Sequence, residues 1–421
     1  MHLGLLGHDR RVGWLLDAAR AAGHALGPVC DVEPSLAAAL GGGRATPWDA
    51  LLDPAACDAV VVGTDGWHDG RADAVRALVQ EGRTLVVSHP PDLSMVWAYE
   101  LDMIRQDTGA VLIPFLPDRR HPLVGRLRAL LEASLAGAGE IGTPETLLFE
   151  RRLAARGRDA VLRAFARDAD LIRAIAGGPR RLTTLGGGDG GPGPDDGLWT
   201  NIAIGLSGPA SLPVRWQASR GAPEGLTIRL VGSAGEHLLE IPDGASADCR
   251  LDGGAALSLD RGAVILADVE RAVAARAATS PPGRDAADTG ADGATIAAAT
   301  WDDAARAIEL AETVPRSLAR GRAIDLHQEE YTDLGTFKGM MASVGCGLVL
   351  LGLLVVIVAT LLAGIARAAG WDLLERVVAV WPAALLAILG AFLALQVIPL
   401  LVGPDDGRTP RGPDSPRRRD P

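Results

Sequence analysis

A chain of 421 residues with a formal charge of −11 and a pI near 5.3 has room for two globular domains, and it has no basic surplus with which to hold nucleic acid. Its four cysteines (Cys30, Cys57, Cys249, Cys346) lack any ligand-like spacing, which argues against a disulfide framework and a zinc site and fits a reducing compartment. Hydrophobic residues make up 48% and mean hydropathy is +0.18, with the apolar surplus near the C-terminal end.

The chain opens with a short apolar run, His2 to Gly7, that ends at a glycine. Val12, Leu15, Leu16 and Ala19 then fall at helical steps, and a second apolar run, Ala25 to Cys30, stops at Asp31. Strand, turn, helix, strand and acid in that order describe a dinucleotide-binding βαβ unit, with Asp31 about where a ribose-binding carboxylate belongs. The glycine fingerprint is altered. Counting from Gly7, the second and third glycines are replaced by Asp9 and Val12. The second glycine lets bare backbone approach a pyrophosphate, and Asp9 puts a negative side chain there. No leader peptide is expected, because Arg10 and Arg11 arrive before an adequate apolar stretch.

Further along, Pro34 to Leu40 reads as a helix and Trp48 to Leu52 as a helical turn. Asp58 to Gly63, Arg83 to Ser88 and Ala110 to Leu116 read as buried strands, separated by helices from about Gly70 to Gln80 and Leu93 to Gln106. The alternation predicts an α/β domain over 1–122 with a Rossmann-like parallel sheet. The second domain, 123–330, combines strand and helix patterns. It contains a strand at Glu145–Leu153, a helix at Asp159–Ala176 and period-two segments between Leu198 and Ile241. The glycine-rich run 186–197 has no G-K-[ST] and reads as a surface loop, and 279–293 reads as an insertion of low complexity.

Two stretches, 342–366 and 377–402, contain no charged residue and are each long enough to cross a bilayer. Lys338 before them and Arg408, Arg411, Arg417, Arg418 and Arg419 after them give an expected orientation by the positive-inside rule. This predicts a multi-pass protein of the cell (inner) membrane, with both termini and both globular domains cytoplasmic. A disordered basic tail, 403–421, follows the second span.

The segments "DAVVVGTDGWHDGRADAVRALVQEGRTLVVSHPP", "PDRRHPLVGRLRALLEASLAGAGEIGTPE", "DADLIRAIAGGPRRLTTLG" and "WDDAARAIELAETVPRSLARGRAIDL" occur in one order. In that order they resemble the Gfo/Idh/MocA oxidoreductases, the relatives of glucose–fructose oxidoreductase and inositol dehydrogenase. The resemblance implies that 123–330 is an α+β domain on an open, mostly antiparallel sheet, with NAD or NADP as cofactor and hydride transfer on a sugar or polyol hydroxyl as the reaction. It places Gly7, Asp31, Thr64, His68 and Pro90 at the cofactor. It also puts His89 where the family has the lysine of E-K-P, as the candidate proton carrier. In the family's D-x-x-x-H-x-x-D helix, Asp170 matches the last acid, while Arg163 and Arg167 stand where the aspartate and histidine belong. Arginine is no base at neutral pH, so these two are candidates for binding a substrate carboxylate or phosphate, or are ion-paired surface residues. Arg119 and Pro122 match an R-x-x-P scaffold segment. The alternative to an enzyme is a catalytically inactive family member that binds a small molecule or a partner at the membrane. A homo-oligomer is expected by analogy alone.

Overall fold

The computed structural model describes residues 1–40, 46–186, 199, 202–208, 211–277, 296–326, 358 and 361. The chain divides into two compact units, Met1–Gln328 and Glu329–Pro421. Among the described residues no helix is long and apolar enough to cross a membrane. Apart from Val358 and Leu361, the two runs expected to form a hairpin lie outside the described residues, as do the basic tail, the segment 279–293 and nearly all of the glycine-rich run.

The first half is a parallel sheet. Strands β1 (His2–Leu6), β2 (Ala25–Cys30), β3 (Ala59–Val62), β4 (Thr84–Ser88) and β5 (Val111–Phe115) lie in the order β2-β1-β3-β4-β5. All four pairings are parallel. The central strands are short β-branched runs because both faces are covered, and Ala59 to Val62 are all buried. One face carries helix α3 (Asp69–Gln80) and helix α4 (Met95–Thr108), which meet Val60, Val62, Leu85 and Val87. The other face carries α1 (Arg10–Ala21), while α2 (Pro34–Ala39) adds Ala37 to the same core. The strand order reverses between β1 and β3, and ligands of such sheets bind outside the strand ends at this switch point.

The second half is a nine-stranded mixed sheet. Its strands are β6 (Pro144–Leu153), β7 (Arg181–Leu185), β8 (Ala203–Ser207), β9 (Pro213–Arg220), β10 (Gly225–Gly232), β11 (Gly235–Pro242), β12 (Ser246–Leu251), β13 (Leu257–Asp260) and β14 (Ile324–Asp325). They lie in the order β13-β12-β11-β10-β6-β9-β8-β7-β14, antiparallel except for the parallel pair β6 and β9. Period-two alternation sends Leu147, Phe149, Val214, Trp216, Ile228 and Leu230 inward. There they pack with α5 (Pro122–Leu135), α6 (Arg158–Ala176) and α8 (Trp301–Arg320). Among the described residues no helix covers the other face, which carries exposed Glu150, Arg215, Arg229 and Glu240.

The two halves are tied by elements that come late in the chain. Helix α7 (Arg261–Ala277), which the sequence pattern did not reveal, returns to the parallel sheet beside α1 and adds Ile265, Leu266 and Val269 to its core. Its approach is close enough that a Cβ on Gly262 would lie 2.2 Å from the Trp14 carbonyl oxygen. Trp301 at the start of α8 is buried beside Trp97 and donates to the Ala98 carbonyl at 2.9 Å. The parallel sheet therefore needs 261–277 and Trp301 to cover its faces, although its strands end at Phe115.

The loops after β1 and β3 touch at the switch point, where a Cβ on Gly63 would sit 2.5 Å from three backbone atoms of His8. Gly63→Ala is expected to destabilise the protein by on the order of 1–3 kcal/mol, because backbone cannot yield as a side chain does. Chemical denaturation of the two proteins measures it.

Candidate functional site

Asp9 sits at the junction of these loops. It is the N-cap of α1, and one carboxylate oxygen accepts the backbone N–H of Arg11 at 2.8 Å and of Val12 at 3.0 Å. The other accepts the Thr64 backbone N–H at 2.8 Å and the Thr64 hydroxyl at 2.9 Å. Burial alone would raise this carboxyl; hydrogen bonds led by the Val12 amide outweigh it and hold Asp9 below the usual carboxylate range. These helix-start amides are the ones that such a fold offers to an anion. Asp9 supplies the anion from within the chain.

Gly7 takes φ +69°, and a Cβ there would lie 2.5 Å from the Arg71 guanidinium carbon. That arginine is buried. It donates to Asp31 Oδ2 at 2.6 Å, to the Gly63 carbonyl at 2.9 Å and to the Asp65 carbonyl at 2.7 Å. His68 caps α3, accepting the Arg71 N–H on Nδ1 at 3.3 Å, and its Nε2 lies 2.9 Å from the same Asp31 oxygen. Asp31 itself holds φ 52°, an uncommon conformation for a non-glycine residue. Its Oδ1 accepts no hydrogen bond among the described residues. The expected cofactor residues Gly7, Asp31, Thr64 and His68 are thus gathered at the ends of β1, β2 and β3, with Arg71 as the fixing cation. Arg71 was missed because a lone arginine within a helix carries no sequence signal.

An open cleft of about 450 Å³ runs from this point past Ser88, His89 and Pro90 at the end of β4 to the second half of the molecule. Its lining includes Trp14, Trp67, Arg11, Arg163 and Arg167. His89, followed by a cis peptide to Pro90, is buried, and neither ring nitrogen has a hydrogen-bond partner. Burial first, and the nearby Arg167 guanidinium second, push its pKa down to about 3, so it is neutral at physiological pH. A neutral imidazole donates and accepts hydrogen bonds here; it is not a reservoir of protons near pH 7.

Arg163 and Arg167 lie one turn apart on α6, and Arg163 donates to the Pro90 carbonyl at 3.2 Å. The expectation that they are ion-paired on the surface does not hold: neither is within 4.0 Å of a carboxylate among the described residues, and both line the cleft. Asp170, grouped with them by the motif, goes elsewhere. It is buried and ion-paired at 2.8 Å to Arg119, which also reaches Asp303 at 3.0 Å. Burial still raises its pKa to about 6. Asp170 braces α6 against the Arg119 turn and does not line the cleft, because two helix steps carry it past the opening. A second brace is Asp168, which takes a bidentate bond from Arg151 and the Trp216 indole N–H at 2.8 Å.

No protein-family model matches the sequence, and no curated protein is significantly similar to it in sequence. Solved structures are similar in fold. A myo-inositol dehydrogenase from Corynebacterium glutamicum has 17% identity and a TM-score of 0.53, over 78% of this chain and 99% of that one. An oxidoreductase from Agrobacterium radiobacter, solved with NAD+, L-tartaric acid and magnesium, has 15% identity and a TM-score of 0.53, over 77% and 98%. A biliverdin reductase from Synechocystis, solved with biliverdin and NADP+, has 13% identity and a TM-score of 0.52, over 75% and 98%. The chain therefore has the dehydrogenase fold: a Rossmann-like parallel sheet followed by a mixed-sheet half. Its structural neighbours include NAD(P)-dependent oxidoreductases of the inositol dehydrogenase type.

A histidine buried neutral destabilises the fold as pH falls below 6.5, because the unfolded chain gains a proton that the native one refuses until about pH 3. Between pH 7 and 5 this removes about 2 kcal/mol. His89→Gln is expected to abolish that part of the slope, read as the difference between the stability–pH curves of the two proteins.

Proposed function

We propose that this chain is an oxidoreductase that takes NAD or NADP into the crevice at the ends of β1, β2 and β3 and binds a small molecule in the adjoining cleft. The observation that carries the reading is Asp31. One of its oxygens is fixed by Arg71 and His68, and the other is left to accept a ribose hydroxyl. The Arg11 and Val12 amides suit the pyrophosphate once Asp9 turns away from them. When bound, the nicotinamide supplies the hydride chemistry. This chain contributes orientation: Thr64 and Pro90 border the crevice, His89 offers an imidazole at the cleft floor, and Arg163 and Arg167 on α6 present guanidinium groups to the cleft.

A second reading has a specific observation in its favour. His89 is neutral where the resembled family has a lysine, and arginines replace the family's aspartate and histidine. The same fold then serves as a ligand-binding module without turnover. In either case the uncharged runs 342–366 and 377–402 support a membrane hairpin, with the globular part facing the cytoplasm. The face of the nine-stranded sheet that no described helix covers supports self-association. Alkaline carbonate extraction tests the anchor: the full chain is expected to stay with the membranes, and release into the soluble fraction contradicts it.

Titrating the detergent-solubilised full chain with NADH tests the main reading. Binding is expected to be weak in the native protein and to tighten at least about tenfold in Asp9→Gly, since charge-assisted hydrogen bonds of about 1.5–3 kcal/mol no longer compete. No binding to either folded protein at millimolar NADH retires the oxidoreductase. NADH bound but never oxidised across a panel of carbonyl compounds favours the second reading.

A further inference from the structure

Most buried arginines around the cleft have a carboxylate of their own. Arg71 has Asp31 at 2.6 Å, Arg119 has Asp170 at 2.8 Å, Arg261 has Asp118 at 2.5 Å, and Arg151 has Asp168. Arg11 on α1 and Arg163 and Arg167 on α6 break this pattern. All three line the cleft, and among the described residues none forms an ion pair within 4.0 Å, although Asp9, Asp65, Glu224 and Asp243 line the cleft as well and Arg10 reaches Asp243 at 3.6 Å. Three of the buried side-chain polar atoms that lack a hydrogen-bond partner among the described residues are at this place, Arg167 Nε and both ring nitrogens of His89; the others are on Arg83, Trp97, Arg119 and Arg152. Buried donors are ordinarily satisfied, so a cluster of orphans beside open space marks where a ligand completes the bonding.

The charges are held there at a cost. Burial, followed by repulsion from Arg11 and Arg151, brings the Arg167 pKa down to about 9, so the group remains protonated at neutral pH. Arg11 is lowered as well, by burial first. The braces described above keep α6 in place: Asp168 is held by Arg151 and Trp216, and Asp170 by Arg119, so Arg167 feels Asp168 and Asp243 only at a distance and has no ion-pair partner of its own among the described residues. A guanidinium fork desolvated in this way matches a planar or tetrahedral oxyanion.

We infer that the small molecule of this cleft is an acid, whose carboxylate or phosphoryl group is received by Arg167, Arg163 and Arg11, with the His89 imidazole as a further hydrogen-bond partner. The inference rests on the reading of the cleft as the substrate site. It replaces the neutral sugar or polyol that the resemblance implied by an organic anion.

Calorimetry on the detergent-solubilised full chain tests it, with inorganic phosphate, malonate and neutral myo-inositol as probes, and NADH titrated separately. At least one of the two anions is expected to bind, and the one that does names the group. Myo-inositol should bind at least tenfold more weakly. Arg167→Gln should weaken the anion at least tenfold, and Arg167→Lys by less, since it keeps the charge and loses the fork. The melting temperature of Arg167→Gln without ligand should be unchanged or higher, because a self-repelling charge is gone. Myo-inositol binding as tightly as the better anion, or equal anion affinity in native protein and Arg167→Gln, overturns the inference. If NADH binds and neither anion does, this inference fails alone. If an anion binds and NADH does not, the oxidoreductase reading fails and the acid site stands.

Discussion

The carboxylate of Asp9 joins the loops that follow β1 and β3, and it occupies the helix-start amides around which the crevice is arranged. Four donors converge on it, two from the first turn of α1 and two from Thr64. The bridge works because the loops approach as closely as backbone allows, with Gly63 against His8 and Gly7 above the buried Arg71. An acid at this position satisfies helix-start donors that would otherwise need water or a ligand. It also competes with any phosphate for those amides. The same residue therefore stabilises the fold and, in the proposed reading, holds the amides that a nucleotide would need.

Around this bridge the molecule separates its charges into satisfied and unsatisfied sets. Arg71, Arg119, Arg151 and Arg261 are neutralised by named carboxylates and hold loops and helices in place. Arg11, Arg163 and Arg167 are left facing the cleft. Breaking a buried ion pair leaves an uncompensated charge that costs several kcal/mol, so the first set is structural. Asp243 and other carboxylates offset these charges from a distance, and the missing ion-pair partners are what the inferred acid would supply. His89 is neutral first because it is buried, and second because the Arg167 guanidinium beside it disfavours another cation.

Much of the parallel sheet could be read in the sequence, because β-branched runs, turn glycines and helical periodicity coincide there. The second strand spans Ala25–Cys30 and the short helical turn Trp48–Leu52, as the pattern predicts, while other ends shift by a residue or two. Helix α7 was not legible: its residues cover a sheet that ended about 150 residues earlier, and local periodicity does not say which core a helix serves. The short strands β7, β12 and β13 were missed for a similar reason, since their alternation extends over only a few residues. The site was partly legible. Motif spacing brought Gly7, Asp31, Thr64, His68, His89 and Pro90 to one crevice. It could not show that Asp9 fills the phosphate position, that Arg71 fixes Asp31, or that Asp170 turns away while Arg163 and Arg167 face inward. Those outcomes are set by tertiary contacts between residues tens of positions apart.

The account's central claim is that a dinucleotide and the Asp9 carboxylate use the same amides. A structure of the full chain determined with saturating NADH tests it most directly. The account predicts phosphoryl oxygens on the Arg11 and Val12 amides, with Asp9 turned away from them and Asp31 on the ribose. A nucleotide seated in the crevice with all four Asp9 bonds intact, or no nucleotide there at saturation, would contradict it.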